Sequence, residues 1–232
     1  MKNIIQISDC HIDDKYQPMG VDTTNNLLKI IGIIKNIPVD ALLITGDLSH
    51  NGSLKSYEII KNNLSTLNVD YVVIPGNHDN LKNINKKFSD NLLREHLVGS
   101  WSIVSAYSKK EGQVSGHLSN EELSSLEDSI KFSSSKHIIV IIHHPPVPMN
   151  SNWDDSLSLQ NMDEFFSVIN KYSSVKAVLW GHAHESSEFS HNKLKLVSCP
   201  STAKQFNHED RIGFNYFTLY DDGKVEYKTV WL

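Results

Sequence analysis

Five runs of apolar, largely β-branched residues in this 232-residue chain each stop at side chains able to ligate a metal ion, and no other feature constrains the fold as much. Asn3 to Ser8 leads into Asp9-Cys10-His11, Ala41 to Thr45 into Gly46-Asp47, and Tyr71 to Pro75 into Gly76-Asn77-His78-Asp79. His137 to Ile142 leads into His143-His144-Pro145, and Val175 to Trp180 into Gly181-His182-Ala183-His184. Short apolar runs bounded by glycine or proline read as buried strands. In an open α/β sheet, ligands collect beyond the carboxyl ends of strands, so five such ends can converge on one pocket although they span residues 9 to 184. Six of the twelve histidines (His11, His78, His143, His144, His182 and His184) fall at these ends. Scattered surface or core histidines would have no reason to cluster there.

The intervening segments are helical in pattern. Thr23 or Thr24 can cap a helix with Leu27, Leu28, Ile31 and Ile34 at helical spacing, ending before Pro38. A second helix, from about Ser53 to Thr66, places Tyr57, Ile60 and Leu64 on one face. Strand, helix, strand, helix, strand over the first 75 residues is the pattern of parallel βαβ units. Residues 80 to 118 read as a cap or insert, with no clear period before a short strand at Ile103 to Ala106. Ser119-Asn120-Glu121-Glu122 is a capping box opening a helix through about Lys131, and Met162 to Tyr172 forms another after a proline-bearing loop from Pro145 to Gln160. Beyond Gly181, the segments Glu185 to Ser190, Leu194 to Ser198, Phe214 to Tyr220 and Lys224 to Trp231 read as antiparallel strands. The expected product is a mixed-sheet, layered α/β domain spanning residues 1 to 232.

Composition narrows the function classes. With 39% hydrophobic and 21% charged residues, and no run near the ~20 apolar residues of a membrane span, the chain reads as globular without a membrane segment. The N-terminus runs straight into a strand with no secretory signal pattern, so cytoplasmic residence is the expectation. A net charge of −5, with lysines clustered only at Lys82, Lys86, Lys87 and at Lys109, Lys110, makes a nucleic acid polymer an unexpected partner; those clusters read as solvated faces. Cys10 and Cys199 read as buried small hydrophobes rather than a disulfide. An oligomer is left open.

Asp9 and His11, two apart at a strand end, turn to the same side, and His182 and His184 repeat the spacing. Gly46, Gly76 and Gly181 permit tight backbone turns beside an ion. One such pair is as easily a hydrogen-bonded strand end as a ligand pair. Five in register with strand ends predict a metal site, because independent accidents would have to agree in both position and chemistry.

Asp-x-His, Gly-Asp, Gly-Asn-His-Asp, His-x-Pro and Gly-His-x-His, in that order over nearly the whole chain, resemble the calcineurin-like metallophosphoesterase superfamily. Within it the chain looks most similar to bacterial class III 3',5'-cyclic-AMP phosphodiesterases, through His143-His144-Pro145-Pro146, Leu159 to Glu164, Val175 to His184, Pro200-Ser201-Thr202 and Gln205-Phe206. The resemblance implies a four-layer αββα sandwich with two mixed β-sheets and the metal site at the strand C-terminal ends. It implies one metal on Asp9, His11 and His184, a second on Asn77, His143 and His182, and Asp47 bridging them. His143 is taken over His144 because it fits His-x-Pro, which leaves His144 in a supporting role. Oxygen and nitrogen donors without thiolate suit two divalent or trivalent transition-metal ions, Fe, Mn or Zn. Two carboxylates and a hydroxide against about four or five positive charges leave the site net positive for a phosphate.

The expected activity is therefore phosphodiester hydrolysis, on 3',5'-cyclic AMP or a related cyclic nucleotide, by a metal-bridging hydroxide. His78 is expected at the leaving oxygen, as general acid or transition-state stabiliser. The alternatives are a broader phosphodiesterase or phosphomonoesterase (2',3'-cyclic nucleotides, glycerophosphodiesters, nucleotide-linked lipids) and a non-catalytic scaffold, which would have no need of seven metal-binding side chains. One position departs from the pattern: many relatives carry an Asp three residues after the bridging Asp to orient the leaving-group His, and here it is His50. Trp153 and the Pro200 to Phe206 stretch are candidates for the substrate rim.

Overall fold

The computed structural model describes residues 1–206 and 210–232. Strands β1 (Lys2–Ile7), β2 (Ala41–Thr45) and β3 (Tyr71–Ile74) run parallel, connected through helices α1 (Thr23–Ile34) and α2 (Leu54–Leu64). The Asp22 carboxylate caps α1 by accepting from Asn25 N, rather than Thr23 or Thr24, because Thr23 is drawn into the core. The buried stripe is Leu27, Ile30, Ile31 and Ile34, while Leu28 faces solvent. Ser53 caps α2 as expected, accepting from Ser56 N.

Helix α3 (Leu81–Phe88) and strands β4 (Glu95–Val98) and β5 (Trp101–Ser105) follow. The expected cap over 80–118 does not stand apart from the core. Ile84 and Phe88 pack with α1 and α2, and the β4–β5 hairpin lies in a sheet with β6 (His137–Ile141). Between them, α4 (Asn120–Phe132) starts at Ser119, which accepts from Glu122 N. The Glu122 carboxylate does not close the capping box. It binds Arg94 and accepts from Tyr107 N instead, tying α4 to the hairpin. The proline-bearing loop carries a short helix, α5 (Asn152–Leu157), before α6 (Met162–Ile169) and β7 (Val175–Trp180).

The last four strands divide between two sheets. β8 (Glu188–His191) and β9 (Leu194–Ser198) form an antiparallel pair, but β9 joins β7 in parallel. β10 (Gly213–Leu219) and β11 (Val225–Trp231) return to the first sheet, with β10 antiparallel to β1. The strand orders are β11-β10-β1-β2-β3 and β4-β5-β6-β7-β9-β8.

Period-two alternation sorts the side chains into three apolar layers. Ile5, Leu42, Ile44 and Val73 meet α1, α2 and α3, whereas Ile4, Leu43, Val72 and Ile74 face the other sheet. There they meet Ile103, Ile139, Ile141, Ala177 and Leu179, while Val104, Val140, Val178 and Trp180 turn outward to α4 and α6. The architecture is an αββα sandwich with two mixed sheets. Among the described residues no helix is long and apolar enough to cross a membrane.

A polar thread pierces the layer between the sheets. The Gln6 amide donates to Thr45 Oγ1 and to the Trp180 carbonyl, both at 3.0 Å, and its Oε1 accepts from Asn215 Nδ2 at 3.4 Å. Gln6 thus fastens β1 to the end of β7 just below the ligand-type residues. Gln6→Leu should cost about 1–3 kcal/mol by leaving these buried partners unpaired. Urea unfolding of the two proteins measures it, and an unchanged or raised midpoint would mean the thread carries no stability.

Candidate metal centre

All five strand ends converge, and they come from two facing sheets rather than one: β1, β2 and β3 from the first, β6 and β7 from the second. The ligand-type residues lie just past the last paired positions. Asp9, His11, Asp47, His182 and His184 all have left-handed backbones, with φ of 54°, 45°, 49°, 66° and 48°. Asp and His tolerate this region better than most side chains, yet it costs about 1 kcal/mol or more at each position. The i, i+2 pairs therefore share a side through this kinked backbone and not through strand alternation. Parallel bonds hold the turns: Asp9 N donates to Gly46 O at 3.1 Å and His11 N to Asp47 O at 2.9 Å.

Two glycines matter for space. A Cβ on Gly46, whose φ is +100°, would lie 2.1 Å from His143 Nδ1. One on Gly181 would lie 1.9 Å from Ser8 Oγ and 2.7 Å from Asp9 Oδ2. The loops of the two sheets could not meet with larger residues at either position.

Among the described residues four sets of donors close to within 4.8 Å: Asp9, His11 and His184; Asp9, Asp47 and His143; His143, His144 and His182; and His11, His50 and His78. Asp47 Oδ2 lies 3.6 Å from His11 Nε2, and Asp47 Oδ1 lies 3.6 Å from His143 Nε2. Asn77 Oδ1 stands 3.1 Å from His143 Nε2 and 3.0 Å from His182 Nδ1.

Hydrogen bonding shows that these atoms suit cations. His143 Nδ1 donates to the Thr45 carbonyl at 2.8 Å and His184 Nδ1 to the Lys204 carbonyl at 2.6 Å, so each ring turns a bare Nε2 lone pair inward. The His143 lone pair faces the Asn77 amide oxygen, acceptor against acceptor. His184 Nε2 faces His11 Nε2 at 3.1 Å. Asp9 Oδ1 is buried with no hydrogen-bond partner. Converging lone pairs and an orphaned carboxylate oxygen are costly alone and favourable around a cation.

Charge states agree. Burial holds the His11 imidazole well below its ordinary value and pushes His182 down to about 3, so both are neutral, as ligation requires. Burial works to raise the Asp9 carboxyl, and positive charge beside it, which His184, His143 and His11 would carry only when protonated, outweighs burial and lowers it. Burial pushes the Cys10 thiol up to about 12, which leaves oxygen and nitrogen as the available donors. Asp79 accepts from the backbone N–H groups of Gly76, Leu48 and Ser49 and from the Tyr57 hydroxyl, locking the β2 and β3 turns together. Burial and the neighbouring Asp47 nonetheless raise it to about 6.

The remaining histidines separate by their partners. His144 is used at both nitrogens: Nε2 donates to Val114 O at 2.9 Å, and Nδ1 accepts from Ser108 Oγ at 2.7 Å. It anchors the 108–116 loop and offers no lone pair inward. His78 is exposed at the mouth, its main-chain N–H on Asp47 Oδ1 at 2.8 Å and its ring Nδ1 donating to the His50 carbonyl at 3.1 Å. The backbone of residue 50 thus orients the ring, with the His50 side chain stacked beside it at 4.8 Å. Sequence reasoning missed this contact, since every residue has a carbonyl. It also took Lys109 for solvated surface, although Lys109 Nζ donates to the Asn77 carbonyl at 2.9 Å.

A cleft of about 230 Å³ opens over these groups, with His11, Asp47, His50, Asn77, His78, His182 and His184 on one side. Met19, Val114, Trp153, Leu157 and Phe206 form the other side, and among the described residues none lining it is Lys or Arg. Apart from its histidines, the described lining offers an entering anion no cationic side chain, so metal ions would bring most of the positive charge it needs.

Such a fold and site define a binuclear metal-dependent phosphoesterase. The family model for calcineurin-like phosphoesterases matches residues 2–186, and the chain belongs to that family. It is 49% identical over 230 residues to a protein of Vesicomyosocius okutanii named as a probable cyclic nucleotide phosphodiesterase, covering 99% of each chain. It is 31% identical to the 3',5'-cyclic adenosine monophosphate phosphodiesterase of Pseudomonas aeruginosa, over 96% of this chain and 87% of that one. Among solved structures, a dimetal phosphatase from Danio rerio shares the fold with a TM-score of 0.76 at 14% identity, covering 99% of this chain and 98% of that one.

The buried neutral histidines set an acid limit. His11, His144 and His182 are proton-free when folded but take up protons near 6.5 when unfolded, which destabilises the fold as pH falls. Asp79 acts oppositely between 3.8 and about 6, where only its folded form holds the proton. These three histidines, with His50 lowered as well, outnumber the one raised carboxyl, so unfolding takes up protons between about pH 4 and 6 and stability rises with pH there. Urea unfolding of metal-depleted protein across that window reads the slope, and a flat or falling stability would contradict it.

Proposed function

We propose that the chain is a phosphodiesterase acting on 3',5'-cyclic AMP or a closely related cyclic nucleotide. The carrying observation is Asp47, whose two oxygens each face one donor cluster while His78 stands at the mouth of the same cleft. Asp9, His11 and His184 would hold one cation and Asn77, His143 and His182 the other, with Asp47 shared. The names of the two relatives support the cyclic nucleotide. Once bound, the pair of ions supplies charge for the phosphoryl oxygens and an acidified water.

The chain's own residues then do the rest. His143 and His184 are fixed by their carbonyl partners, so their lone pairs need no reorganisation. His78 can act from Nε2 while Nδ1 stays on the His50 carbonyl. A carbonyl accepts from neutral imidazole and from imidazolium alike, so the ring keeps its aim when a proton leaves Nε2. A ribose alkoxide is a poor leaving group and needs that proton. Lys109, seated on the Asn77 carbonyl, steadies the loop bearing Asn77 and His78.

Turnover of 3',5'-cyclic AMP, 2',3'-cyclic AMP and bis(p-nitrophenyl) phosphate by the Mn-loaded chain tests the substrate. The 3',5'-diester should be favoured, and Asn77→Ala should abolish turnover of all three. Equal rates on all three would reject the cyclic-nucleotide reading in favour of a broad phosphodiesterase.

The acid role is separable. His78→Ala should slow 3',5'-cyclic AMP hydrolysis by about 10²–10⁴ but spare bis(p-nitrophenyl) phosphate, whose leaving group needs no proton. His50→Ala keeps the orienting carbonyl and should stay within about tenfold of wild type, the scale of one neutral hydrogen bond. Equal losses on both substrates for His78→Ala would exclude proton donation.

A further inference from the structure

The apolar half of the cleft has no part in the chemistry so far described. Trp153 on α5 is 56% exposed, Phe206 42% and Val114 51%, and exposed apolar side chains gathered into one patch, unlike single ones, mark interaction sites. They come from three distant segments and meet only here, joined by the half-buried Met19 and Leu157. The Trp153 and Phe206 rings lie 5.2 Å apart at 89°, forming an L-shaped corner. This corner is fastened to the metal-binding half. Phe206 stacks on His184 at 3.9 Å and 7°, and Lys204 both accepts His184 Nδ1–H at its carbonyl and donates from Nζ to Met19 O at 3.2 Å.

The geometry points to Trp153 and Phe206 as the platform for the nucleobase of the substrate, an assignment that rests on the cyclic-nucleotide reading above. A base stacked on one ring presents its edge to the other while its phosphate reaches the donor clusters. Stacking on an aromatic face tolerates every base, because each base has a π-face. Among the described residues of the apolar half, the Trp153 indole N–H is the one side-chain donor able to read a base edge, so the site selects for the presence of a base and discriminates weakly among bases. Adenine and guanine nucleotides should bind alike. A sugar phosphate lacking the base should bind more weakly.

Calorimetric binding of the reaction product and its baseless analogue to the Mn-loaded full chain tests this without relying on turnover. AMP should bind about tenfold or more tightly than ribose 5-phosphate, the scale of one stacked base, with GMP within about threefold of AMP. Trp153→Ala should collapse the AMP advantage while leaving ribose 5-phosphate affinity unchanged, and Trp153→Phe should restore most of it. Thermal melts establish that both variants fold, as the exposed position of Trp153 predicts. Equal affinity for AMP and ribose 5-phosphate in the wild type, or an AMP advantage that survives Trp153→Ala, would overturn the platform while leaving the phosphodiesterase reading standing. Failure of both phosphates to bind, together with no diester turnover, would overturn both.

Discussion

The His182 main-chain N–H donates to Asp9 Oδ2 at 2.9 Å, and the rest of the centre depends on that bond. It joins the turn after β7 to the turn after β1, and so one sheet to the other. Gly181 makes it possible by standing where any side chain would meet Ser8 and Asp9. With the turns so joined, Asp9 leaves Oδ1 bare toward His184 at 3.4 Å, and Asp47 stands between the clusters. The Gln6 thread beneath keeps β1 and the end of β7 from sliding apart. The centre is a seam between two sheets, and each sheet alone would carry an incomplete set of donors.

Such a seam is expensive. Five left-handed residues, two buried carboxylates and a ring of lone pairs facing one another all oppose folding. The three apolar layers and the fixed backbone partners offset that cost, and cations bound at the donors would stabilise the folded form further by mass action. The strain is confined to turn residues just past the strands, where the ladder bonds of the core are already complete. The pattern fits a centre kept rigid for function, since residues held in sparsely populated backbone regions persist only where their surroundings over-determine them.

Much of this was legible in the sequence because strands and ligands leave local marks. Apolar runs ending in Asp, Asn or His placed β1, β2, β3, β6 and β7, and with them the residues that meet at the centre. What escaped was non-local or carried by the backbone. No period distinguishes ends that converge within one sheet from ends that converge across two. The 80–118 segment hid α3 and the β4–β5 hairpin because its apolar positions, such as Ile84 and Phe88, are few and widely spaced. Helix α5 is six residues long with none buried, too short for periodicity to show. His143 and His144 were told apart by family resemblance. The structure gives the physical reason, since Ser108 and Val114 occupy both nitrogens of His144.

His50 shows how a departure from a family pattern can be absorbed. A carboxylate at this position would orient the His78 ring, but it would also add a negative charge beside Asp9 and Asp47 where a phosphodiester must enter. A neutral imidazole adds none, and burial together with the neighbouring His78 holds His50 below its ordinary value. Orientation passes to the main-chain carbonyl of the same residue, whose position is fixed because His50 N donates to Ile12 O at 3.0 Å. The freed side chain packs between its neighbours, with Nδ1 3.3 Å from His11 Nδ1 and its ring stacked on His78. One residue thus steadies a metal-facing histidine and the histidine at the mouth of the cleft without charging the approach. Aim and charge, which a carboxylate would couple, are here supplied by separate atoms of the same residue.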